Sequence, residues 1–332
     1  MSNKYIFFRT DRVGDFLMSA ILIKAIKRSD SNSHIIVVAS KKNFHYIKNF
    51  PYVNETILFP ENYFKKIYFY SKFFFNEFHL ICILDGKKRS MYFSFLTRAK
   101  FKFLFTYKIF YKLIFSFFYT NVFLDSHYTS KIAEIKDLLG LLDFELKPED
   151  LRTITPNSAS SSNKNLVFLD KYTLFHFDEK WISGHYIANY KSIEPVSEGH
   201  LISFFEKLLL KTGNDLCISS GTINNKFNEY FRQNFSKIGD SVYQVKFANN
   251  KIIFFDNLNF SQLEKLIFNC ELLISCHGAP THIAGSFDKK IIDIFDESKK
   301  EFYNKWTAHF QNYRFLLRND FSSLECKIID IL

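Results

Sequence analysis

Short uninterrupted apolar runs alternate with longer amphipathic stretches along the first half of the chain. Runs of this kind predict buried strands, and apolar residues that recur every three or four positions predict helices. The predicted strands are 5–8, 34–38, 56–59 and 80–84, and the predicted helices are 14–28, 41–49 and 131–142. Continuous apolar strands separated by helices indicate a parallel sheet that is covered on both faces.

The same alternation returns in the second half, after a small polar run at 155–163. There the pattern predicts helices at 201–210 and 261–269, and strands at 172–177, 216–219, 252–255, 272–275 and 291–295. It also predicts a helix that ends at Phe231, one that begins near Pro280 and a short terminal helix capped by Ser322. We therefore predict two Rossmann-like domains, 1–155 and 164–332, joined by a linker at 156–163. In such an enzyme the substrate lies in the cleft, at the carboxyl ends of the strands.

The composition agrees with a folded two-domain protein. The chain has 332 residues, of which 47% are hydrophobic and 23% charged, so it can bury a sizeable core and is not disordered. Phenylalanine is heavily used, with 42 residues, together with Lys, Asn and Ile. All four residues have AT-rich codons, so we attribute this skew first to coding bias and give it little functional weight.

The formal net charge of +10 has three interpretations. It can reflect the same lysine bias, attraction to an anionic membrane surface or glycolipid, or binding of nucleic acid. Lysines are scattered along the chain and no nucleic-acid motif occurs, so we expect no nucleic-acid partner. Peripheral contact with the cytoplasmic face of an inner membrane stays open.

Cysteine usage and the apolar segments favour a cytoplasmic protein. The five cysteines are odd in number and form no C-x-x-C pair, so we expect buried free thiols in a reducing compartment. The N-terminal residues do not have the pattern of a signal peptide. The aromatic segment 101–123 is interrupted by Lys102, Lys108 and Lys112, each costing about 2.5–3.5 kcal/mol at the centre of a bilayer. We expect this segment to lie in the core or at an interface and not to span a membrane.

A motif with candidate catalytic residues follows the first predicted strand. Residues 9–15 read R-T-D-R-V-G-D and lead directly into an apolar helix. This order places Gly14 at the tight turn and Asp15 in the first helical turn, where the helix dipole keeps a carboxylate ionised. Such a carboxylate can act as a general base, although an Asp at a helix start is more often a cap. The single glycine does not fit a dinucleotide-binding fingerprint.

This motif resembles the opening of glycosyltransferase family 9, the ADP-heptose:lipopolysaccharide heptosyltransferases. The family opening has the form R-x-D-R-x-G-D-x-x-L, followed by an apolar helix. The resemblance implies that Asp15 is the catalytic base, with Asp11 as the fallback. It also implies a GT-B fold of two Rossmann-like domains with parallel sheets facing across a cleft. We place Arg9 and Arg12 on the acceptor side, although both can equally be ordinary ion-pair partners.

A second motif lies between the predicted strand 272–275 and the helix after it. Residues 276–284 read C-H-G-A-P-T-H-I-A. The small residues Gly278 and Ala279 let a ligand approach the backbone, and the following helix N-terminus offers free N–H groups to a diphosphate. His277 and His282 can donate hydrogen bonds. Taken alone, one such turn is more often an ordinary strand–turn–helix with a buried histidine.

Heptosyltransferases carry S-N-D-T-G-P-x-H-x-A at the corresponding place. Pro280, His282 and Ala284 match this motif identically, whereas His277 stands at the family Asp. The resemblance implies that the loop binds the donor through His277, Gly278, Ala279, Pro280, Thr281 and His282. Because a histidine can bind phosphate where the family Asp grips the sugar-phosphate, the donor can differ from ADP-heptose.

Two further stretches resemble the family more loosely. Strand 172–177 leads into Lys180 and Trp181, which match a K-x-W or K-W-P loop whose Lys contacts the donor phosphate. Lys88 and Arg89 match a basic stretch on the acceptor side, although a solvated surface loop explains them equally well. The Glu with which family members often hold the donor ribose has no counterpart in 219–225.

The resemblance implies an inverting, metal-independent glycosyltransferase without a cofactor. Its substrates would be a nucleotide-sugar donor, ADP-linked by analogy, and a glycolipid or polysaccharide acceptor such as a lipopolysaccharide core. Two alternatives stay open. One is a GT-B transferase with another nucleotide sugar, and the other is an inactive scaffold that binds a sugar nucleotide or a glycan.

Overall fold

The computed structural model describes residues 2–154, 171–181, 197–221 and 225–332. The chain divides into two compact units, Met1–Thr153 and Ile154–Leu332. The linker predicted at 156–163 lies outside the described residues. Each unit is an α/β domain built around its own sheet.

The first unit contains a fully parallel six-stranded sheet with the order β3-β2-β1-β4-β5-β6. Its strands are β1 (Lys4–Arg9), β2 (His34–Ala39), β3 (Glu55–Leu58), β4 (Glu77–Ile83), β5 (Arg98–Thr106) and β6 (Asn121–Leu124). Its helices are α1 (Val13–Ser29), α2 (Phe44–Lys48), α3 (Tyr63–Phe74), α4 (Lys88–Leu96), α5 (Ile109–Phe115) and α6 (Lys131–Gly140). The strand order reverses between β1 and β4, the point at which sheets of this kind bind ligands beyond the carboxyl ends of their strands.

Helices α3, α4 and α5 cover one face of this sheet. Phe69 of α3 and Phe93 of α4 lie in one buried core cluster with Phe8 of β1, and Phe115 of α5 packs against that cluster. The aromatic segment 101–123 was expected to be a single core or interfacial segment. It comprises most of β5, all of α5 and most of β6. A turn and a short helix interrupt it because its two strands are parallel and need a crossover between them.

The second unit contains an eight-stranded sheet with the order β14-β13-β12-β7-β8-β11-β10-β9. Its strands are β7 (Tyr172–Phe177), β8 (Asp215–Ser220), β9 (Ser236–Gly239), β10 (Val242–Phe247), β11 (Asn250–Phe255), β12 (Leu272–Cys276), β13 (Lys290–Phe295) and β14 (Tyr313–Leu317). Its helices are α7 (Glu198–Thr212), α8 (Lys226–Asn234), α9 (Phe260–Asn269), α10 (Ala279–Ser286), α11 (Lys300–Thr307) and α12 (Phe321–Ile331). Here the order reverses between β7 and β12.

Two features of the second unit differ from the prediction. Its sheet is mixed, because β10 runs antiparallel to β11 and β9, so the expectation of a wholly parallel sheet was wrong at this edge. The last helix begins at Phe321 and is capped by Asp320, whose side chain accepts the Ser323 N–H, so the cap predicted at Ser322 was wrong.

All five cysteines are free, and four of them are buried, as expected; Cys326 is exposed. Within the described residues, no helix combines the length and apolar character needed to cross a bilayer.

Candidate active site

Asp15 lies in the first turn of α1 and is both a helix cap and an accessible carboxylate. Its Oδ2 accepts a hydrogen bond from the Arg12 N–H at 3.0 Å, a capping interaction. Its Oδ1 lies 3.9 Å from Arg9 Nη2, and the side chain is 33% exposed. Capping uses only one of the two carboxylate oxygens. Asp15 can therefore be a helix cap and a general base at the same time.

Arg9 is buried at the end of β1 and holds the motif in place. Its Nη1 donates to the Leu84 carbonyl at 2.5 Å, and its Nε donates to the Asp15 carbonyl at 3.0 Å. Nη1 also lies 3.5 Å from Asp11 Oδ2. Arg9 therefore joins the ends of β1 and β4 to the first turn of α1. This position favours a structural role over the acceptor contact predicted for it.

Side chains from the ends of β1 and β4 form a polar network where the strand order reverses. Thr10 Oγ1 donates to Asp85 Oδ2 at 2.5 Å and accepts from Arg89 Nη2 at 2.9 Å. Lys87 Nζ lies 2.5 Å from Asp11 Oδ1. Burial raises the pKa of Asp85, although hydrogen bonds from Thr10 and from the Lys87 N–H oppose the rise. In this network Lys87 therefore forms an ion pair with Asp11, the fallback base.

Asp85 and Lys87 were not among the predicted site residues. They flank Gly86, whose φ of 59° marks a tight turn after a buried strand. Their importance follows from the pairing of β1 with β4, which the sequence alone does not show. Among the predicted acceptor residues, Arg12 and Lys88 are exposed, and the Arg89 guanidinium lies 4.8 Å from the centre of the Phe59 ring.

In the second unit, Lys180 meets the turn after β12 where the strand order reverses. Lys180 Nζ donates to the His277 carbonyl at 2.8 Å and lies 3.0 Å from Asp178 Oδ2. Burial alone would lower the pKa of Lys180, but the Asp178 carboxylate outweighs it, so the pKa is raised. The side chain is only 15% exposed. The two segments, 97 residues apart in sequence, therefore fix one ammonium group, paired with Asp178, at the carboxyl edge of the sheet.

Gly278 makes room for this ammonium group. A Cβ atom at position 278 would lie 2.8 Å from Lys180 Nζ, closer than real Cβ atoms approach a neighbour. The φ of 173° at Gly278 is extended backbone, so the glycine is needed for space and not for an unusual conformation. Next to it, α10 begins at Ala279, and the first N–H groups of a helix lack intrahelical partners.

His277 is held by a buried carboxylate. Its Nδ1 lies 2.6 Å from Asp293 Oδ2, and its ring stacks on Tyr303 at 3.8 Å. Asp293 also accepts hydrogen bonds from Thr281 Oγ1 at 2.9 Å and from the Tyr313 hydroxyl at 2.8 Å. A histidine that donates through Nδ1 to a carboxylate keeps its orientation and leaves Nε2 as its other polar atom. The residue at the family Asp position is therefore part of an Asp–His pair.

Four of the other five predicted donor residues are buried. Trp181 is buried and donates through Nε1 to the His176 carbonyl at 2.8 Å. Pro280, Thr281 and His282 are also buried, whereas Ala279 is partly exposed. Burial, together with the nearby His277, holds the pKa of His282 well below its usual range, so this ring is neutral. These four buried residues support the loop. Their positions do not support the prediction that they contact the donor.

Comparison with solved structures defines the class of fold. The chain has the GT-B-type α/β fold of the heptosyltransferases. It is similar to E. coli heptosyltransferase WaaC with ADP-2-deoxy-2-fluoro heptose, with a TM-score of 0.64, 10% identity and coverage of 99% of this chain and 100% of that one. It is also similar to a family 9 glycosyl transferase from Veillonella parvula, with a TM-score of 0.63, 14% identity and coverage of 99% and 90%.

The same fold occurs in a protein with a different activity. A UDP-GlcNAc 2-epimerase from Methanocaldococcus jannaschii matches with a TM-score of 0.56, 11% identity and coverage of 99% of this chain and 92% of that one. No family model matches the sequence, and no curated protein is similar to it in sequence. The fold alone therefore does not define the reaction.

Proposed function

We propose that this protein is a glycosyltransferase that moves a sugar from a nucleotide-diphosphate donor to a glycan or glycolipid acceptor. The observation that carries the proposal is the meeting of Lys180, the His277 carbonyl and Gly278 at the strand-order reversal of the second sheet. A buried, charged lysine beside a helix N-terminus suits the binding of a diphosphate group. Heptosyltransferase neighbours with ADP or an ADP-sugar analogue support the same assignment.

Within this proposal, Asp15 is the general base. Its Oδ1 forms no hydrogen bond within the described residues and lies 3.9 Å from Arg9 Nη2, whereas Asp11 is held more closely, by Lys87 at 2.5 Å and by Arg9 at 3.5 Å. Asp15 would remove the proton from the acceptor hydroxyl, whose oxygen then attacks the anomeric carbon. The bond from that carbon to the diphosphate oxygen breaks, and the negative charge that develops on the diphosphate is stabilised by Lys180 and the start of α10. A single displacement of this kind inverts the anomeric carbon.

The Asp293–His277 pair favours a donor other than ADP-heptose as the second candidate. The family Asp is a fixed acceptor of hydrogen bonds, whereas a histidine held through Nδ1 offers a ring nitrogen that can also donate to phosphate. ADP-heptose is still the first donor to test, because a neighbour with this fold binds an ADP-heptose analogue, and other nucleotide sugars belong in the same panel.

The test is a screen for nucleotide release. The purified protein is incubated with ADP-, GDP-, UDP- and CMP-linked sugars, with and without a lipid A core acceptor, and the released nucleotide is measured. We expect one donor to be turned over, and we expect Asp15→Asn to lower kcat by about 10²–10⁴-fold, the usual contribution of a general base. Lys180→Gln should lower kcat by about 10²-fold, because a donor to the developing anion is lost.

Lys290→Gln is the matched control, since Lys290 is an exposed lysine at the amino end of β13. Unchanged turnover in this variant is required. Turnover that survives Asp15→Asn would remove the base from the mechanism. Donor binding without release across the whole panel, unaffected by Asp15→Asn, would instead identify a binding scaffold.

A further inference from the structure

The outer side of helices α3, α4 and α5 is unusually apolar. Fifteen of the 21 large hydrophobic side chains that are well exposed in the described residues lie between residues 63 and 118. Phe75 is 90% exposed, and Phe117 is 88% exposed. Monomeric soluble proteins seldom expose so many large apolar groups in one region, and such patches mark interaction sites.

Some of these side chains lie next to one another although they come from different helices. Phe95 of α4 contacts Phe118, just after α5, with ring centres 4.9 Å apart. Phe74 of α3 and Phe95 line a common groove with Arg98 and Lys102. Because all three helices cover the same face of the sheet, their exposed residues point away from the core in one layer. We call this layer the aromatic surface; it comprises α3, α4, α5 and the residues that directly follow α3 and α5.

The positive charge of the protein is concentrated in the same segment. Lysines occur throughout the sequence, but residues 63–120 contain eleven Lys and Arg and only two acidic residues, Glu77 and Asp85. Nearly all of the net charge of +10 therefore belongs to this one segment. Two lysines at the aromatic surface, Lys65 in α3 and Lys108 directly before α5, are exposed. Coding bias would spread the surplus along the chain, so this distribution requires another explanation.

We propose that the aromatic surface docks onto an anionic lipid bilayer. Aromatic rings are favoured at the level of lipid headgroups, and interleaved lysines are attracted to anionic headgroups. Since no described helix is long and apolar enough to cross a bilayer, the contact is with the membrane surface. The inference names a partner for the proposed glycosyltransferase, but it rests on exposure and charge and can hold even if the reaction differs.

The experiment is flotation of the full-length protein with vesicles, which needs no catalysis. Vesicles of phosphatidylcholine alone are compared with vesicles that also contain phosphatidylglycerol. We expect binding to the anionic vesicles only, weakened by added salt. Phe75→Ser with Phe117→Ser should reduce binding by about tenfold or more, because two inserted rings are lost. Lys65→Gln with Lys108→Gln should reduce it by about 25-fold, because each lysine near an anionic surface contributes about fivefold.

Matched controls come from the second unit. Leu210→Ser removes a side chain that is 75% exposed on α7, and Lys237→Gln with Lys246→Gln removes two exposed lysines. Both controls should bind as the wild type does, and far-UV circular dichroism checks that every variant is folded. Absence of wild-type binding, or equal losses in the controls, would overturn the proposal. So would a wild-type dimer that the phenylalanine substitutions convert to monomers while vesicle binding persists, since that result makes the surface an interface between copies.

Discussion

At the scale of single residues, the site depends on small side chains beside large charged ones. Lys180 is fixed by Asp178 and by the His277 carbonyl, and only a glycine at position 278 leaves room for its ammonium group. In the first unit, Arg9 plays the fixing role, while Asp15 keeps one oxygen accessible. In the first unit, Arg9 holds the loop and Asp15 is the group available for chemistry. In the second unit, Asp178 holds the side chain of Lys180, and Lys180 is the group available to a ligand.

Gly278→Ala tests the crowding around Lys180. The new methyl group must displace the end of a flexible side chain, so we expect the free energy of unfolding to change by only about 0.5 kcal/mol. Donor binding should weaken by about tenfold, since a misplaced charge loses part of its contact with the diphosphate. Titration with the donor found in the screen measures the dissociation constant.

Gly140→Ala is the control for that variant. A Cβ at position 140 would have open space around it, and the residue lies at the end of α6. Its donor affinity should equal that of the wild type. Equal affinity in Gly278→Ala as well would mean that Lys180 does not contact the donor from its observed position.

At the scale of elements, local sequence signals explain the strands that line the site but not the helices of the aromatic surface. The apolar runs that become β1, β7 and β12 are short and bounded by polar turns, so they were predicted within a residue or two. By contrast, α3 is so rich in aromatic residues that it resembles a strand as much as a helix. Its identity is decided by packing against the sheet, which a periodicity argument does not include.

The capping of α9 offers a test at this scale, because that helix leads into β12 and the turn at His277 and Gly278. Asn259 accepts the Gln262 N–H at 3.0 Å, and Gln262 accepts the Asn259 N–H at 3.0 Å, which completes a capping box. Asn259→Ala should lower the free energy of unfolding by about 1 kcal/mol, since the helix start loses its side-chain acceptor. Chemical denaturation measures the change.

Asn259→Ser supplies the comparison for that prediction. Serine is also a good N-cap, so most of the lost stability should return. If Ser and Ala at this position are equally destabilising, the capping interaction is not what stabilises the start of α9.

At the scale of the whole molecule, the sequence was sufficient for the class of fold, which the structure confirms. It did not show which strands are neighbours in each sheet, and it is this strand order that brings the site residues together. Asp85 and Lys87 meet the N-terminal motif only because β4 lies next to β1, and Asp293 reaches His277 only because β13 lies next to β12. Sheet edges were also missed: β9 and β10 form an antiparallel hairpin that continues a parallel sheet. Residue patterns report which face is buried, whereas strand order is set by the entire chain.

The stability of the whole fold should fall at acid pH, and one buried histidine, His176, contributes to this fall. Burial lowers the pKa of His176 to about 4, from an ordinary value near 6.5. Above pH 6.5 the ring is neutral in both states and contributes no pH dependence. Between pH 6.5 and about 4 the unfolded chain binds a proton that the folded protein does not, so stability falls as the pH falls. The loss is about 1.4 kcal/mol per pH unit, or about 3 kcal/mol in total.

His176→Gln should remove this part of the pH dependence. Denaturation curves of the variant and the wild type between pH 7 and pH 5 should therefore converge or cross as the pH falls. His45→Gln, at an exposed position, should follow the wild type throughout. Parallel curves for His176→Gln and the wild type would show that this ring is protonated in the folded protein too.

The central position of β1 and β7 has a consequence for biosynthesis. Among the described strands, each is the first of its sheet to leave the ribosome, and each pairs with a later strand on both sides. For β1 the later of these partners is β4, whose paired residues are made about 75 positions later, and for β7 it is β12, whose paired residues are made about 100 positions later. At about 5–20 residues per second, this edge of β7 stays open for about 5 to 20 seconds. A nascent chain with an exposed aromatic strand for that long is a substrate for chaperones, so the yield of folded protein in cells should depend on chaperone supply.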